Sequence, residues 1–296
     1  MKTQTSSTCT IYPIVSALDK ADEIIGKDRV WKAVNDRQKE YLPIFNSTRD
    51  EARLLKDIKS ICSRNAEEIN KFLAKEGFLI KLEPFKGSND FGIASVLDIL
   101  VEWQNNGLVK RLPSSPDKNI KVFPGVLLKE GVRFTTSPSH NNPIAVIETK
   151  SGDQVCMTIH DQLDGFPLLE RTEQLRKNMR GIFDFESVHF PQVDLNQVVD
   201  ISWLKKLWTI DENTCKYEIE QALQQTKFRM NEKGARAQSG VALGGIKCTS
   251  VRPAVLPLVI DQPFLIWIER VELKYPLFTG WISKKDWKTP KDISKK

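Results

Sequence analysis

An α+β fold is predicted, because helical periodicity occupies the first third of the chain and strand-like runs occupy the rest. Residues 14–110 carry apolar side chains at spacings of three and four, as one face of a helix requires. From Val109 the pattern changes to short runs rich in Val, Ile, Leu and Phe, separated by turns containing Gly and Pro. Helices first and strands later argue against alternating βαβ units and for a large, mainly antiparallel sheet system. The 296 residues, 40% of them hydrophobic, suffice for one large domain. A single domain over 1–283 is expected, mainly helical over 1–110 and mainly β over 111–283, followed by a Lys-rich tail over 284–296.

The first helix is predicted from Ser16 to Leu42, with Pro43 as its stop. The second runs from Arg49 to Phe78, with Leu54, Leu55, Ile58, Ile61, Ile69, Phe72 and Leu73 as its apolar stripe and Asn46-Ser47-Thr48 as capping residues. A third is predicted from Gly92 to Trp103, ending at Asn105-Asn106-Gly107. Short strands follow over Asn119 to Phe134, broken at Pro124-Gly125 and Glu130-Gly131. Ile144 to Thr149 and Gln154 to Ile159 flank Ser151-Gly152-Asp153 and read as a hairpin. A helix over Leu168 to Met179 precedes strands at Ser187 to Leu195 and Cys215 to Glu232. The last pair, Phe264 to Val271 and Leu277 to Ile282, is apolar and aromatic enough for neighbouring buried strands.

Charge excludes more than it assigns. The chain holds 44 Lys and Arg against 38 Asp and Glu, a net charge of +6. The final stretch, Lys284 to Lys296, contains six Lys and two Asp and so carries most of that excess. The rest is close to neutral and shows no aromatic-interleaved basic strand, so no specific nucleic-acid partner is expected. The tail reads as a solubilising or weakly steering appendage. No run of 18 apolar residues occurs, so no membrane-spanning helix is expected. Five cysteines (Cys9, Cys62, Cys156, Cys215 and Cys248) form no C-x-x-C pair and are odd in number, which favours a reducing compartment. The N-terminus has no apolar signal core; a cytoplasmic location is expected, with secretion lacking a recognisable signal peptide as the alternative.

Catalytic and metal signatures are missing. His140, His160 and His189 are too few and scattered for a metal site and read as structural or incidental. Gly240 to Lys247 fails as a phosphate loop because Ile246 separates Gly245 from Lys247. Neither G-x-S-x-G nor G-x-G-x-x-G occurs. No enzymatic activity, cofactor or metal is expected.

The informative segment is 228–263. A strand containing Phe228 and Met230 runs into about twenty small residues before apolar strands resume at Leu256, and loops this long are usually functional. The loop has a period of two: Ala235, Ala237, Ser239 and Val241 are small, whereas Arg236 and Gln238 are long and polar. In an extended chain the two sets face opposite sides, so one face suits a crowded sheet and the other water.

These residues resemble the serpins. Asn231-Glu232-Lys233-Gly234-Ala235-x-Ala237 is similar to the family's hinge, in which Asn-Glu-x-Gly precedes alternating small residues. Asp261-Gln262-Pro263-Phe264-Leu265-Ile266-Trp267-Ile268 and Pro276-Leu277-Phe278-Thr279-Gly280-Trp281 resemble its last two strands. Phe190-Pro191 and Gly152-Asp153-Gln154-Val155-Cys156-Met157-Thr158-Ile159 resemble two earlier ones, all in family order. The likeness covers 186–283 best, then 140–185, and describes a shortened or divergent member. The Asn-x-x-x-Phe-x-Gly-x-Trp segment of the central sheet has no counterpart, and Gln224 stands where the family carries a shutter histidine.

The resemblance implies a serpin-like α+β architecture, with N-terminal helices packed on large sheets and an exposed reactive-centre loop. It further implies a monomeric suicide inhibitor of a serine or cysteine protease, whose cleaved loop, 234–253, inserts into the central sheet as a new strand. Glu232, Gly234, Ala235, Ala237, Ser239 and Val241 would form the inserting hinge. Family spacing puts the reactive bond at Cys248–Thr249, with Lys247 and Arg252 as alternatives that imply a trypsin-like target. The other reading is a non-inhibitory relative acting as a protein-binding module, which Gln224, Arg236 and the missing central segment favour.

Overall fold

The computed structural model describes residues 4–27, 29–87, 90–112, 122–235, 256–291 and 293. Their contacts gather into two compact units, one of residues 1–9, 99–195 and 227–295, the other of 10–98 and 196–226.

The first unit is built on a seven-stranded sheet, antiparallel throughout. Its order is Ser7–Cys9, Phe278–Ile282, Phe264–Glu269, Gln154–Ile159, His140–Glu148, Val132–Ser137 and Arg180–Ile182. The predicted hairpin is its centre: Ala145 pairs with Met157 and Glu148 with Gln154, and Gly152 turns the chain at φ +85°, where glycine alone is unstrained. The predicted final pair is also present, with Phe264 opposite Ile282 and Ile268 opposite Phe278. Ile144, Val146, Cys156, Leu265, Trp267 and Trp281 line one face and pack with Leu168 and Leu175. Those two leucines come from helix Phe166–Arg176, whose first turn accommodates Pro167 because a proline there lacks only an N–H that the helix leaves unpaired. Buried Asp153 accepts a bidentate pair of hydrogen bonds from Arg270, at 2.7 and 2.9 Å.

A second sheet runs Leu258–Val259, Val188–Pro191, Gly125–Leu128 and Leu108–Val109, the first pair parallel and the others antiparallel. A third runs Val193–Val199, Gln224–Met230, Gly234–Ala235 and Val101–Glu102. Beyond the last strand of the large sheet, Trp287 is 3% exposed, edge-on to Phe123 at 4.9 Å, and Ile293 is buried too. The apolar side chains among the C-terminal lysines are therefore packed, while Lys285, Lys288 and Lys291 remain exposed.

The second unit corrects the helical reading of the N-terminal third. In place of one helix over Ser16 to Leu42 there are Tyr12–Lys20 and Asp22–Ile25, closed by Gly26 at φ +103°, and then Asp36–Leu54. Asn35 caps this last helix by accepting from the Gln38 N–H. Pro43 does not end it: Pro43 and Lys39 lie on its exposed face, so the Lys39 carbonyl that proline leaves without a donor is open to water. Its buried face is Gln38, Tyr41, Phe45, Thr48 and Ala52, a helical stripe too polar to read as one. Gln38 is held there by donating from Nε2 to the carbonyls of Trp203 and Lys205, at 2.8 and 2.9 Å.

The predicted helix over Arg49 to Phe78 is likewise divided. Strand Ile58–Ser63 interrupts it, and a new helix, Ala66–Lys75, starts where Asn65 accepts from the Glu67 N–H. The third predicted helix, Gly92 to Trp103, is strand instead. Gly92–Leu97 pairs antiparallel with Ile58–Ser63, Ile58 opposite Leu97 and Ser63 opposite Gly92. Burial alternates along it, with Gly92, Ala94 and Val96 inward, so tertiary packing followed the period of two rather than the helical one. Ala66, Ile69 and Leu73 pack on Leu82, Ala94 and Val96 to form this unit's core. Among the described residues no helix is long and apolar enough to cross a membrane.

Candidate functional site

The site is assembled by a turn. Strand Gln224–Met230 reverses at Asn231-Glu232-Lys233, where the Asn231 side chain accepts from the Lys233 N–H and the Asn231 N–H donates to the Gly234 carbonyl, both at 2.9 Å. The chain returns as the short strand Gly234–Ala235. Ala235 lies opposite Met230 on one side and Val101 on the other, and Gly234 lies opposite Glu102, all antiparallel. The first small residues of the predicted hinge are thus already a strand between two neighbours. Ala235 is 1% exposed, and Met230 and Val101 are fully buried.

Three successive carbonyls of the turn are held from one segment, 103–107. The indole Nε1–H of Trp103 donates to the Asn231 carbonyl at 3.0 Å, the Gly107 N–H to Glu232 at 2.7 Å, and the Trp103 N–H to Lys233 at 3.0 Å. Trp103 is fully buried and meets Phe190 edge-on at 6.0 Å. Together these contacts hold the entry of the loop against the end of strand Val101–Glu102.

Gly234 is required by space. A Cβ there would come within 2.8 Å of the Glu102 Cα and closer still to the Val101 carbonyl oxygen, both backbone atoms that cannot rotate away. Gly234→Ala is therefore expected to cost about 2–3 kcal/mol, the upper range for overpacking. Urea unfolding measures it, and a variant as stable as wild type would overturn this account of the close approach.

Gln224, expected from the resemblance at the shutter position, donates from Nε2 to Thr10 Oγ1 at 2.5 Å, and Thr10 is 5% exposed. Two neighbouring glutamines hold the extended segment 79–83. Gln225 Oε1 accepts from the Leu79 and Ile80 N–H groups, at 2.9 and 3.3 Å. Gln221 accepts from the Glu83 N–H and donates to the Glu83 carbonyl, at 2.8 and 3.0 Å. The start of this strand is engaged by side-chain amides on several sides.

Of the predicted site residues, Glu232, Gly234 and Ala235 are brought together, with Gln224 near the other end of the preceding strand. Ala237, Ser239, Val241, Lys247, Cys248, Thr249 and Arg252 lie outside the described residues. The contacts of Trp103 and Gly107 with this turn are not visible in the sequence, where Gly92 to Trp103 reads as a helix. The signal was the alternation of Ile93, Ser95 and Leu97 with Ala94 and Val96 running toward a lone tryptophan. Cys62, Cys156 and Cys215 are free thiols. Burial pushes Cys62 up to about 12 and raises Cys156 as well, so both stay protonated and unreactive near neutral pH. Among the described residues no His, Cys, Asp and Glu side chains group to hold a metal ion.

This architecture, large antiparallel sheets with few helices and a short strand entering between two others, is the serpin fold. Serpin48 of the insect Tenebrio molitor superposes with a TM-score of 0.59 at 12% identity, over 95% of this chain and 92% of the other. The mouse protein-Z dependent protease inhibitor gives 0.61 at 12%, over 95% and 91%. Thyroxine-binding globulin in complex with thyroxine gives 0.54 at 12%, over 94% and 92%. No family model matches the sequence, and no curated protein matches it. The likeness is one of fold.

Proposed function

We propose that the protein is a serpin-like protease inhibitor, in which a serine or cysteine protease cleaves the loop 234–253 and the freed segment enters the sheet as a strand. One observation carries the reading: Gly234–Ala235 already pairs between Met230 and Val101–Glu102. A cleaved segment that kept this register on insertion would bring Ala237 opposite Phe228 and Ile99, which are 5% and 7% exposed. Only a small side chain suits such a place, and residue 237 is alanine. In this reading Cys248–Thr249 is the reactive bond, Lys247 and Arg252 are its alternatives, and the chain is a monomeric trap rather than an enzyme.

Incubation with a panel of serine and cysteine proteases tests it. A covalent adduct surviving SDS, with stoichiometric loss of protease activity, is expected. Cleavage between 245 and 253 without any adduct overturns inhibition.

The hydrogen bonds of Gln221, Gln224 and Gln225 favour a second reading, a binding module that does not inhibit. The amides at the start of strand Gln224–Met230 are occupied by fixed partners, which a strand inserting along its length would have to accommodate. The same incubation separates the two, since a binding module is cleaved without trapping the protease.

A further inference from the structure

The sequence places His140 and His160 far apart, and the fold stacks them, ring centroids 5.2 Å apart and planes 23° from parallel. Both face Arg171 on helix Phe166–Arg176. Arg171 Nε donates to His160 Nε2 at 2.9 Å and Nη2 donates to His140 Nδ1 at 3.3 Å. Each imidazole therefore accepts on one nitrogen and carries its proton on the other. His160 Nδ1–H donates to the Asp161 carbonyl at 2.8 Å; His140 Nε2–H donates to Thr158 Oγ1 at 2.9 Å, which donates in turn to the Pro143 carbonyl.

The remaining Arg171 donors go to the Ser139 carbonyl and hydroxyl and to Gln174 Oε1. Arg171 thus has no carboxylate partner among the described residues, and its charge is opposed only by neutral acceptors. It borders a pocket of about 700 Å³ whose lining includes Asn141, Asn142 and Gln262. Burial, followed by the fields of His160 and Arg171, pushes His140 down to about 4. The charged and titratable groups at the pocket are Arg171 from the helix, His140 from the strand, and His160 and the exposed Asp161 beyond the end of the neighbouring strand.

We propose that this pocket is a proton-coupled site for a small tetrahedral oxyanion, with Arg171 as the fixed cation and His140 and His160 as donors that become available on protonation. Protonating either ring removes the acceptor for an Arg171 N–H and sets two like charges against each other. An anion relieves both effects: it accepts the released N–H groups and offsets the charge. By linkage, an anion that favours the protonated rings binds more tightly as pH falls, up to tenfold per pH unit for each proton taken up.

Inorganic sulfate is the probe, because it does not itself titrate between pH 5.5 and 7.5. Calorimetry on the full chain, with ionic strength held by chloride, is expected to give at least tenfold tighter sulfate binding at pH 5.5 than at 7.5. Buffers of different ionisation heat should report uptake of protons on binding. Arg171→Gln is expected to abolish binding; the His140→Asn, His160→Gln double variant keeps Arg171 and is expected to bind without pH dependence. The double variant also keeps the proposal testable where Arg171→Gln does not fold. Equal sulfate response in Arg171→Gln and wild type, or wild-type affinity independent of pH, overturns the proposal. Acetate binding as tightly as sulfate overturns the tetrahedral assignment.

Discussion

Nicking the loop between residues 245 and 253 is expected to raise the melting temperature by about 10–20 °C. If the cleaved segment continues the register begun by Gly234–Ala235, it adds roughly eight to ten backbone hydrogen bonds at about 0.5–1.5 kcal/mol each. The gain is of order 5–10 kcal/mol, and a chain of this length shifts about 2 °C per kcal/mol. The control is Ala237→Glu. Between Phe228 and Ile99 a carboxylate would have no partner, and a buried unpaired charge costs more than the added bonds return in the first turn of insertion. The variant should fold normally, be nicked normally and lose both the thermal gain and the protease adduct. Calorimetric scans before and after limited proteolysis provide the measurement. An unchanged melting temperature in nicked wild type would remove loop insertion and leave the binding-module reading.

The contrast between the two thirds of the chain explains what sequence reading could reach. The strands from Phe264 to Ile282 are buried on both faces, so their composition alone marks them, and the structure pairs them in the predicted way. The pair Gly234 and Ala235 carries a different kind of signal. Gly234 has no side chain because the Val101–Glu102 backbone leaves no room for one, and Ala235 beside it is fully buried, so the demand appears directly as residue type. The N-terminal third offered weaker cues. Helix Asp36–Leu54 buries Gln38 and Thr48, whose polar groups are satisfied by the Trp203, Lys205 and Ile44 carbonyls, so an apolar stripe was never visible. Strand Gly92–Leu97 has apolar residues compatible with both periods, and its partner is the distant segment Ile58–Ser63. Pairing at that distance decides the matter, and local pattern does not contain it.

The histidines make the same point about sites. His140 and His160 are twenty residues apart in sequence, and the hairpin fold sets their rings in contact on Arg171, which no spacing rule describes. Two of three residues read as incidental are therefore neighbours in one pocket.

Trp103 is where the largest single-residue loss is expected. Trp103→Ala should destabilise the protein by about 4 kcal/mol, the usual cost of deleting a fully buried tryptophan, because the side chain fills the space beside Phe190. Trp103→Phe separates packing from hydrogen bonding. It keeps an aromatic ring against Phe190 but removes the donor to the Asn231 carbonyl, an expected cost of about 1–2 kcal/mol. The two variants also report on the turn 231–233, since the Trp103 backbone holds Lys233 while its indole holds Asn231. Loss of the indole bond alone leaves the Gly107 and Trp103 N–H contacts in place, so amide exchange should quicken at the turn, 231–235, more than across strands Gln154–Ile159 and Phe264–Glu269. Urea midpoints and residue-resolved exchange on both variants read out the two effects. Uniformly faster exchange in Trp103→Phe, with no excess at 231–235, would mean that the tryptophan supports the unit as a whole and does not fasten the loop entry.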